Sequence, residues 1–241
     1  MPHFLVKKDE IKENTIELKD SENLFHIINV RRVKIGENIT FIDKDFMSYC
    51  CKIVKIDKKM LLAEILYKSP SNRFLTNNIS LVQSVLSSDA QNLLIANATQ
   101  TGVKRIYPVI SDNVSKKVKN EKIEKWQKIA NENFKQCERA DIPIIEEIEP
   151  LKNVLNKFKK DNILIFSEKY TNISLDDSIK NLDKTSEIAI VIGPEGGFSD
   201  SEFTYFKNQN YKLISLGKMI YKAPNAVVAG VSNIVSRLDD E

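Results

Sequence analysis

The sequence predicts an α/β protein in two parts, a β-rich first part and a longer part built on a mainly parallel sheet. Three observations lead there. Short β-rich runs separated by polar connectors crowd the first 70 residues. Beyond them strands alternate with helix-period segments, the pattern of a parallel sheet covered on both faces. Glycine is scarce, 7 in 241 residues, and four of the seven (Gly193, Gly196, Gly197, Gly217) fall within 25 residues near the C-terminal end. A typical chain has about 7% glycine, so that concentration marks a segment with special backbone needs.

In the first part, Asn38–Asp43, Ser48–Ile56 and Met60–Leu66 read as strands, and their close spacing suggests a small barrel. Glu22–Val33 reads as a helix, with Leu24, Ile27, Ile28 and Arg31 on one stripe. Lys68-Ser-Pro-Ser-Asn72 breaks the pattern and sets the expected boundary, with domains at residues 1–71 and 72–241.

In the second part, Ile79–Val85, Arg105–Ile110, Asn162–Ser167, Glu187–Ile192 and Tyr211–Leu216 read as strands. Asp89–Thr101 reads as a helix stopped by Gly102. Glu121–Arg139 is a helix with Trp126, Ile129, Ala130, Phe134 and Cys137 at near-helical spacing. Ser199–Asn208 opens on a capping-box pattern, Ser199 to Glu202. Pro224–Leu238 carries its proline where the first helical turn tolerates it.

The bulk numbers narrow the function. Hydrophobic residues make up 42% of the chain, enough for a sizeable core, and Lys+Arg 36 against Asp+Glu 33 leaves a net charge of only +3. No apolar run reaches the roughly 18 residues of a membrane span, so no membrane partner is expected. The start has no apolar h-region. Three scattered cysteines, Cys50, Cys51 and Cys137, fit reduced thiols and a cytoplasmic location. With His3 and His26 the only histidines and no CxxC or HExxH, neither a zinc site nor a His-dependent triad is expected. GxGxxG and the P-loop pattern are both absent.

Ligands of open α/β sheets bind at the carboxyl ends of strands. Two strands here end in glycine turns. Ile188–Ile192 runs into Gly193-Pro194-Glu195-Gly196-Gly197-Phe198, where three glycines allow positive φ and close approach of a ligand to the backbone. Tyr211–Leu216 runs into Gly217-Lys218-Met219-Ile220. Basic residues that could meet phosphates are Arg31, Arg32 and Lys34, beside His26, and the 104–128 stretch with eight basic and three acidic residues. Phe4 could stack on a base, although a core position suits it better.

Val191–Ser199 with Glu202 resembles the signature loop of the RsmE family, the uridine-N3 methyltransferases of small-subunit ribosomal RNA within the SPOUT class. Leu216–Ala226 occupies the place of that family's second motif, Trp126–Ala130 with Gln136, Cys137 and Arg139 resembles its middle helix, and His26, Val30, Arg32 and Gly36 resemble its N-terminal RNA-binding segment. The resemblance implies a PUA-like β-barrel followed by a SPOUT α/β domain with a trefoil knot, working as a homodimer. It implies S-adenosylmethionine as cofactor, on Ile192, Gly193, Pro194, Glu195, Gly196, Gly197, Leu216, Gly217, Ile220 and Ala226. Ribosomal RNA of the small subunit would be the partner, met by His26, Arg31, Arg32, Lys34 and Arg139.

The second motif departs from the family pattern LGxRILRxETA: Met219 and Lys222 stand for arginines and Pro224 for the glutamate. Asn97 and Gln100 stand where the family carries Lys and Glu, and its basic residues near Ser87–Ala90 are missing. Lysine does not reproduce the bidentate arginine fork. The resemblance leaves Lys222 as the candidate catalytic cation. The alternative function is a catalytically weak or inactive RNA-binding assembly factor that keeps the cofactor pocket.

Overall fold

The computed structural model describes residues 3–114 and 122–238. The chain divides into two compact units, Met1–Phe74 with Phe134–Asp141, and Leu75–Asn133 with Ile142–Glu241.

The first unit holds a five-stranded sheet. Its strands are β1 (His3–Leu5), β2 (Thr15–Leu18), β3 (Asn38–Ile42), β4 (Met47–Ile56) and β5 (Leu61–Pro70), in the spatial order β1-β3-β4-β5-β2. β1 pairs with β3 in parallel, and the other ladders are antiparallel. All five strands send side chains into one core, among them Phe4, Ile16, Phe41, Ile53 and Leu61. Strands that share a single core must curl around it, and the register shifts in β4 at Cys50/Cys51 and Ile53/Lys55 supply local bends. Phe4 belongs to this core at 2% exposure.

Several elements here differ from the sequence reading. β1 and β2 are too short and too charged at their flanks to announce themselves. The helix expected over Glu22–Val33 is α1 (Ser21–Phe25), capped by the Asp20 carboxylate accepting from Asn23 N at 2.8 Å, followed by a single wide turn over His26–Val30. Arg32 at φ 53° ends it, because a left-handed residue cannot continue a right-handed helix. β5 runs through Lys68–Pro70, inside the stretch expected to break the chain; Pro70 sits at the strand's last position, where a missing N–H costs little.

The second unit is built on a parallel sheet: β6 (Ile79–Ser84), β7 (Arg105–Ile110), β8 (Ile144–Ile145), β9 (Glu149–Pro150), β10 (Ile163–Phe166), β11 (Ile188–Ile192) and β12 (Lys212–Ile214). Spatial order is β12-β10-β11-β6-β7-β8, with β9 also on β7, and every ladder is parallel. The helices are α2 (Ser88–Gln100), α3 (Ile123–Cys137, counted with the first unit from Phe134 on), α4 (Leu151–Leu155), α5 (Leu175–Lys180), α6 (Asp200–Asn208) and α7 (Ala223–Leu238). Of the helix expected over 121–139, Glu121 lies outside the described residues. α4 and α5 were not foreseen, each being too short to show a period.

Both faces of the sheet are covered, as the near-continuous apolar strands require. Along β11, Ile188, Ile190 and Ile192 join one cluster with Leu94, Ile95, Val227 and Val231 of α2 and α7. Ala189 and Val191 point the other way, to Leu151, Phe203 and Phe206 of α4 and α6. Gly102, at φ 93°, ends the α2 segment, and a Cβ there would sit 2.7 Å from Leu75 Cδ1.

Candidate functional site

The carboxyl ends of β10, β11 and β12 are neighbours in the sheet and frame a cleft of about 590 Å³, counting the solvent in its mouth. The loop after β10 contributes Ser167 and Glu168 beside Phe166. The loop after β11 contributes Gly193, Pro194, Gly197 and Phe198 beside Ile192. The segment from β12 into α7 contributes Ser215, Leu216, Gly217, Met219, Ile220, Tyr221, Ala223 and Ala226.

The β11 loop is held from three sides. Gly197 N donates to Pro194 O at 2.9 Å, closing a four-residue turn, and Gly197 takes φ 72°. Gly193 and Gly196 do not take positive φ, so the expectation of three left-handed glycines holds for one. Gly193 is needed for packing instead: a Cβ there would stand 3.1–3.3 Å from the Phe198 ring. That ring meets Phe206 edge-on at 5.1 Å, so the loop is pinned to the core under α6. The capping box forms as expected, with Ser199 N donating to Glu202 Oε2 at 2.8 Å and Glu202 N to Ser199 Oγ at 3.1 Å.

The segment after β7 braces this loop. Asp112 accepts from the hydroxyls of Ser199 and Ser201, and those bonds hold its carboxyl below the usual range. Asp112 N donates to Glu202 Oε1 at 3.1 Å, and Asn113 Nδ2 to Gly197 O at 3.0 Å. Glu195 faces away from the cleft and accepts from Ser87 Oγ at 2.7 Å.

The third wall depends on α7. Gly217, at φ 107°, turns the chain, with Ser215 Oγ accepting from Gly217 N at 3.0 Å. The Lys222 carbonyl accepts from Asn225 N and Ala226 N, both at 2.9 Å, and so starts the helix. Asn97 Nδ2 of α2 donates to Pro224 O at 2.9 Å. Gly230 lies flat on Phe166: a Cβ there would be 2.9 Å from Phe166 Cε2.

Of the residues expected at the cofactor, Ile192, Gly193, Pro194, Gly197, Leu216, Gly217, Ile220 and Ala226 line the cleft, while Glu195 and Gly196 do not. Lys222 is exposed and lies outside the lining. Phe166, Ser167 and Glu168 were missed because β10 ends without glycine; the rule that ligands meet strand carboxyl ends would have found them. In the first unit, Arg31, Arg32 and Lys34 are exposed and His26 is half-buried against Phe4, ring centroids 5.6 Å apart. Arg139 differs from its expected RNA-facing role: it is 5% exposed, and its guanidinium pairs with Asp141 at 3.0 Å.

Among the described residues of the lining, Glu168 carries the one carboxylate, and no lysine, arginine or histidine shares it. The walls are mostly apolar side chains and backbone. A cleft of this make-up accommodates a ligand with apolar and hydrogen-bonding parts and a positive charge. Among the described residues, no helix is long and apolar enough to cross a membrane.

A family model described as an RNA methyltransferase domain matches residues 74–235, and one described as an RNA methyltransferase PUA domain matches residues 18–66. The chain is 28% identical over 234 residues to a ribosomal RNA small subunit methyltransferase E of Rickettsia conorii, covering 93% of this chain and 91% of the relative. It is 26% identical over 246 residues to ribosomal RNA small subunit methyltransferase E 2 of Borreliella burgdorferi, covering 100% and 99%. The crystal structure of the Neisseria gonorrhoeae ribosomal RNA small subunit methyltransferase E bound to S-adenosylmethionine superposes with a TM-score of 0.84 at 26% identity, over 98% of both chains. With its methyltransferase domain matched over two thirds of its length and a PUA domain ahead of it, this chain belongs to the RNA methyltransferase family.

Proposed function

We propose that the protein is an S-adenosylmethionine-dependent methyltransferase acting on N3 of a uridine in small-subunit ribosomal RNA. The single observation that carries the reading is the cleft at the ends of β10, β11 and β12, where most of the expected cofactor residues converge. The relatives' names and the cofactor bound to the Neisseria protein support it.

The residues present fit this cofactor. Gly197 and Gly217 turn backbone, not side chain, toward the cleft, and no atom comes within 4 Å of a Cβ placed on Gly217. Ile192, Leu216 and Ala226 supply apolar walls that exclude water. When bound, S-adenosylmethionine supplies an electrophilic methyl on its sulfonium. Uridine N3 carries a proton and becomes nucleophilic only as that proton leaves, so the site must offset negative charge developing on the uracil. We assign that part to the Lys222 ammonium, on the segment that leads from the cleft into α7. The Asp112–Asn113 brace holds the β11 loop in place before binding, so no ordering cost falls on that loop when it meets its ligand.

The finer parts of the proposal have separate support. A boundary near residues 71–72 agrees with the gap between the two matched domains. A trefoil knot is part of the proposal on the strength of the family alone; the segment after β12 leads to α7, which meets α2 where Asn97 Nδ2 donates to Pro224 O. A homodimer is supported by exposed apolar side chains on α2, α7 and the segment between β12 and α7, Leu93 (52%), Val228 (39%), Met219 (71%) and Ile220 (81%), a surface a second copy would cover. Arg31, Arg32, Lys34 and His26 are proposed to meet RNA. Three free cysteines agree with a cytoplasmic protein.

Two measurements test the reading. Calorimetric titration of the intact protein with S-adenosylmethionine is expected to show binding that Gly193→Arg abolishes. Mass spectrometry of small-subunit ribosomal RNA from a deletion strain is expected to show one N3-methyluridine lost and restored by the wild-type gene. Unchanged RNA would sink the methyltransferase assignment.

A further inference from the structure

Among the described residues, the lining of the cleft carries one formal charge, and it is negative. Glu168 stands on the loop after β10, and its Oε1 is 3.4 Å from the position a Cβ on Gly197 would take, so the carboxylate overlooks the left-handed turn of the β11 loop. It makes no ion pair and no hydrogen bond with any described residue, and its side chain is exposed. An acidic side chain at a protein surface is commonly paired or simply solvated; this one is unpaired and sits on a concave wall next to apolar surface. Coulomb attraction there is stronger than in open water because part of the surrounding space is low-dielectric protein.

Resting on the proposed function, we infer that Glu168 is the charge-selecting residue of the cofactor cleft: it favours the cationic methyl donor over the uncharged-sulfur product. Methyl transfer converts a sulfonium into a thioether. The donor loses its methyl as CH3 to N3, the C–S bonding pair stays on sulfur, and the N3 proton leaves to solvent. The cofactor's net charge falls by one, while its adenosine and amino-acid parts stay the same. Glu168 is therefore the side chain in the lining whose interaction with the ligand changes when the reaction occurs. The apolar walls hold donor and product alike, and the carboxylate discriminates between them. Its consequence is faster exchange of spent product for fresh donor.

The test is calorimetric titration of wild type, Glu168→Gln and Glu168→Lys with S-adenosylmethionine and with S-adenosylhomocysteine at two salt concentrations. The expected result is that Glu168→Gln weakens donor binding about fivefold and changes product binding less than twofold. Glu168→Lys should weaken the donor further. The wild-type preference for donor should shrink as salt rises, because an exposed charge is screened over about 10 Å at 0.1 M, and the salt effect should be absent in Glu168→Gln. Equal changes for donor and product, or none for either, overturn the role of Glu168 while the binding of both to wild type leaves the proposed function standing. A wild-type protein that binds neither compound overturns the proposed function itself. Since Glu168 is exposed and Gln keeps its shape, the folded state is expected to survive both substitutions, and an unchanged melting curve checks this.

Discussion

Gly230→Val would drive a side chain of α7 into the wall of the cleft. An ideal Cβ on Gly230 lies 2.9, 3.1 and 3.3 Å from Cε2, Cδ2 and Cζ of Phe166. Phe166 is 6% exposed and lines the cleft, so the space its ring can swing into is the cleft itself. Glycine inside a helix costs about 1 kcal/mol relative to alanine and valine about 0.6, so propensity alone would favour the variant by about 0.4 kcal/mol. Overpacking a packed site costs about 1–3 kcal/mol, and valine adds two methyls beyond a Cβ that already clashes, which puts the cost at about 2.5 kcal/mol. The expected net loss is about 2 kcal/mol. For a chain of this length, about 2–4 °C accompanies each kcal/mol, so melting should fall by about 4–8 °C. Far-UV circular dichroism during heating measures it. Because Phe166 lines the cleft, S-adenosylmethionine should also bind more weakly. The double variant Gly230→Val with Phe166→Leu should recover part of both losses, because the smaller side chain relieves the clash; two residues in contact are expected to couple by more than about 0.5 kcal/mol. A melting point equal to or above wild type for Gly230→Val, or strict additivity in the double variant, would refute the reasoning.

Two further outcomes can be checked independently. The folded-state carboxyl of Asp112 is lowered by its bonds from Ser199 and Ser201, so its contribution to stability is present above the unfolded carboxylate value near 3.9 and is lost as pH falls through the lower folded value; Asp112→Asn should melt below wild type at neutral pH, and the gap should close as pH drops under about 4. Burial pushes the Cys51 thiol up to about 12, while Cys50 and Cys137 are half-exposed; a thiol reagent at mildly alkaline pH should titrate Cys50 and Cys137 in the native protein and Cys51 only after denaturation, and rapid labelling of Cys51 in the native state would contradict its placement.

Local patterns were legible where one short-range rule decides the outcome. β7 was bounded correctly from its apolar run, α2 ended at Gly102 as a left-handed stop, and the Ser199–Glu202 box closed as read, because each depends on neighbours within a few residues. β1, β2, α4 and α5 were not, because three to six residues form an element only when a larger sheet or core receives them. The wide turn at His26–Val30 interrupted a helix whose apolar stripe had looked continuous. The cofactor loop was found through its glycines, yet for a partly different reason than expected: Gly197 supplies the backbone turn, whereas Gly193 makes room for the Phe198 ring.

By itself the sequence determined that the chain carries a β-rich part followed by a parallel α/β part, and that chemistry gathers where two strands end in glycine. Those conclusions follow from periodicity and from the steric freedom of glycine, both local properties. Only the tertiary structure decided what shares the cleft. Strand order, set by long-range pairing, brings the end of β10 between those of β11 and β12 and so adds Phe166 and Glu168 to the wall. The same folding points Glu195 to Ser87, commits Arg139 to Asp141, and leaves one negative charge among the described residues of the lining. No spacing along the chain encodes that charge balance, because its members come from strands joined by crossovers and their meeting is a property of the packed sheet.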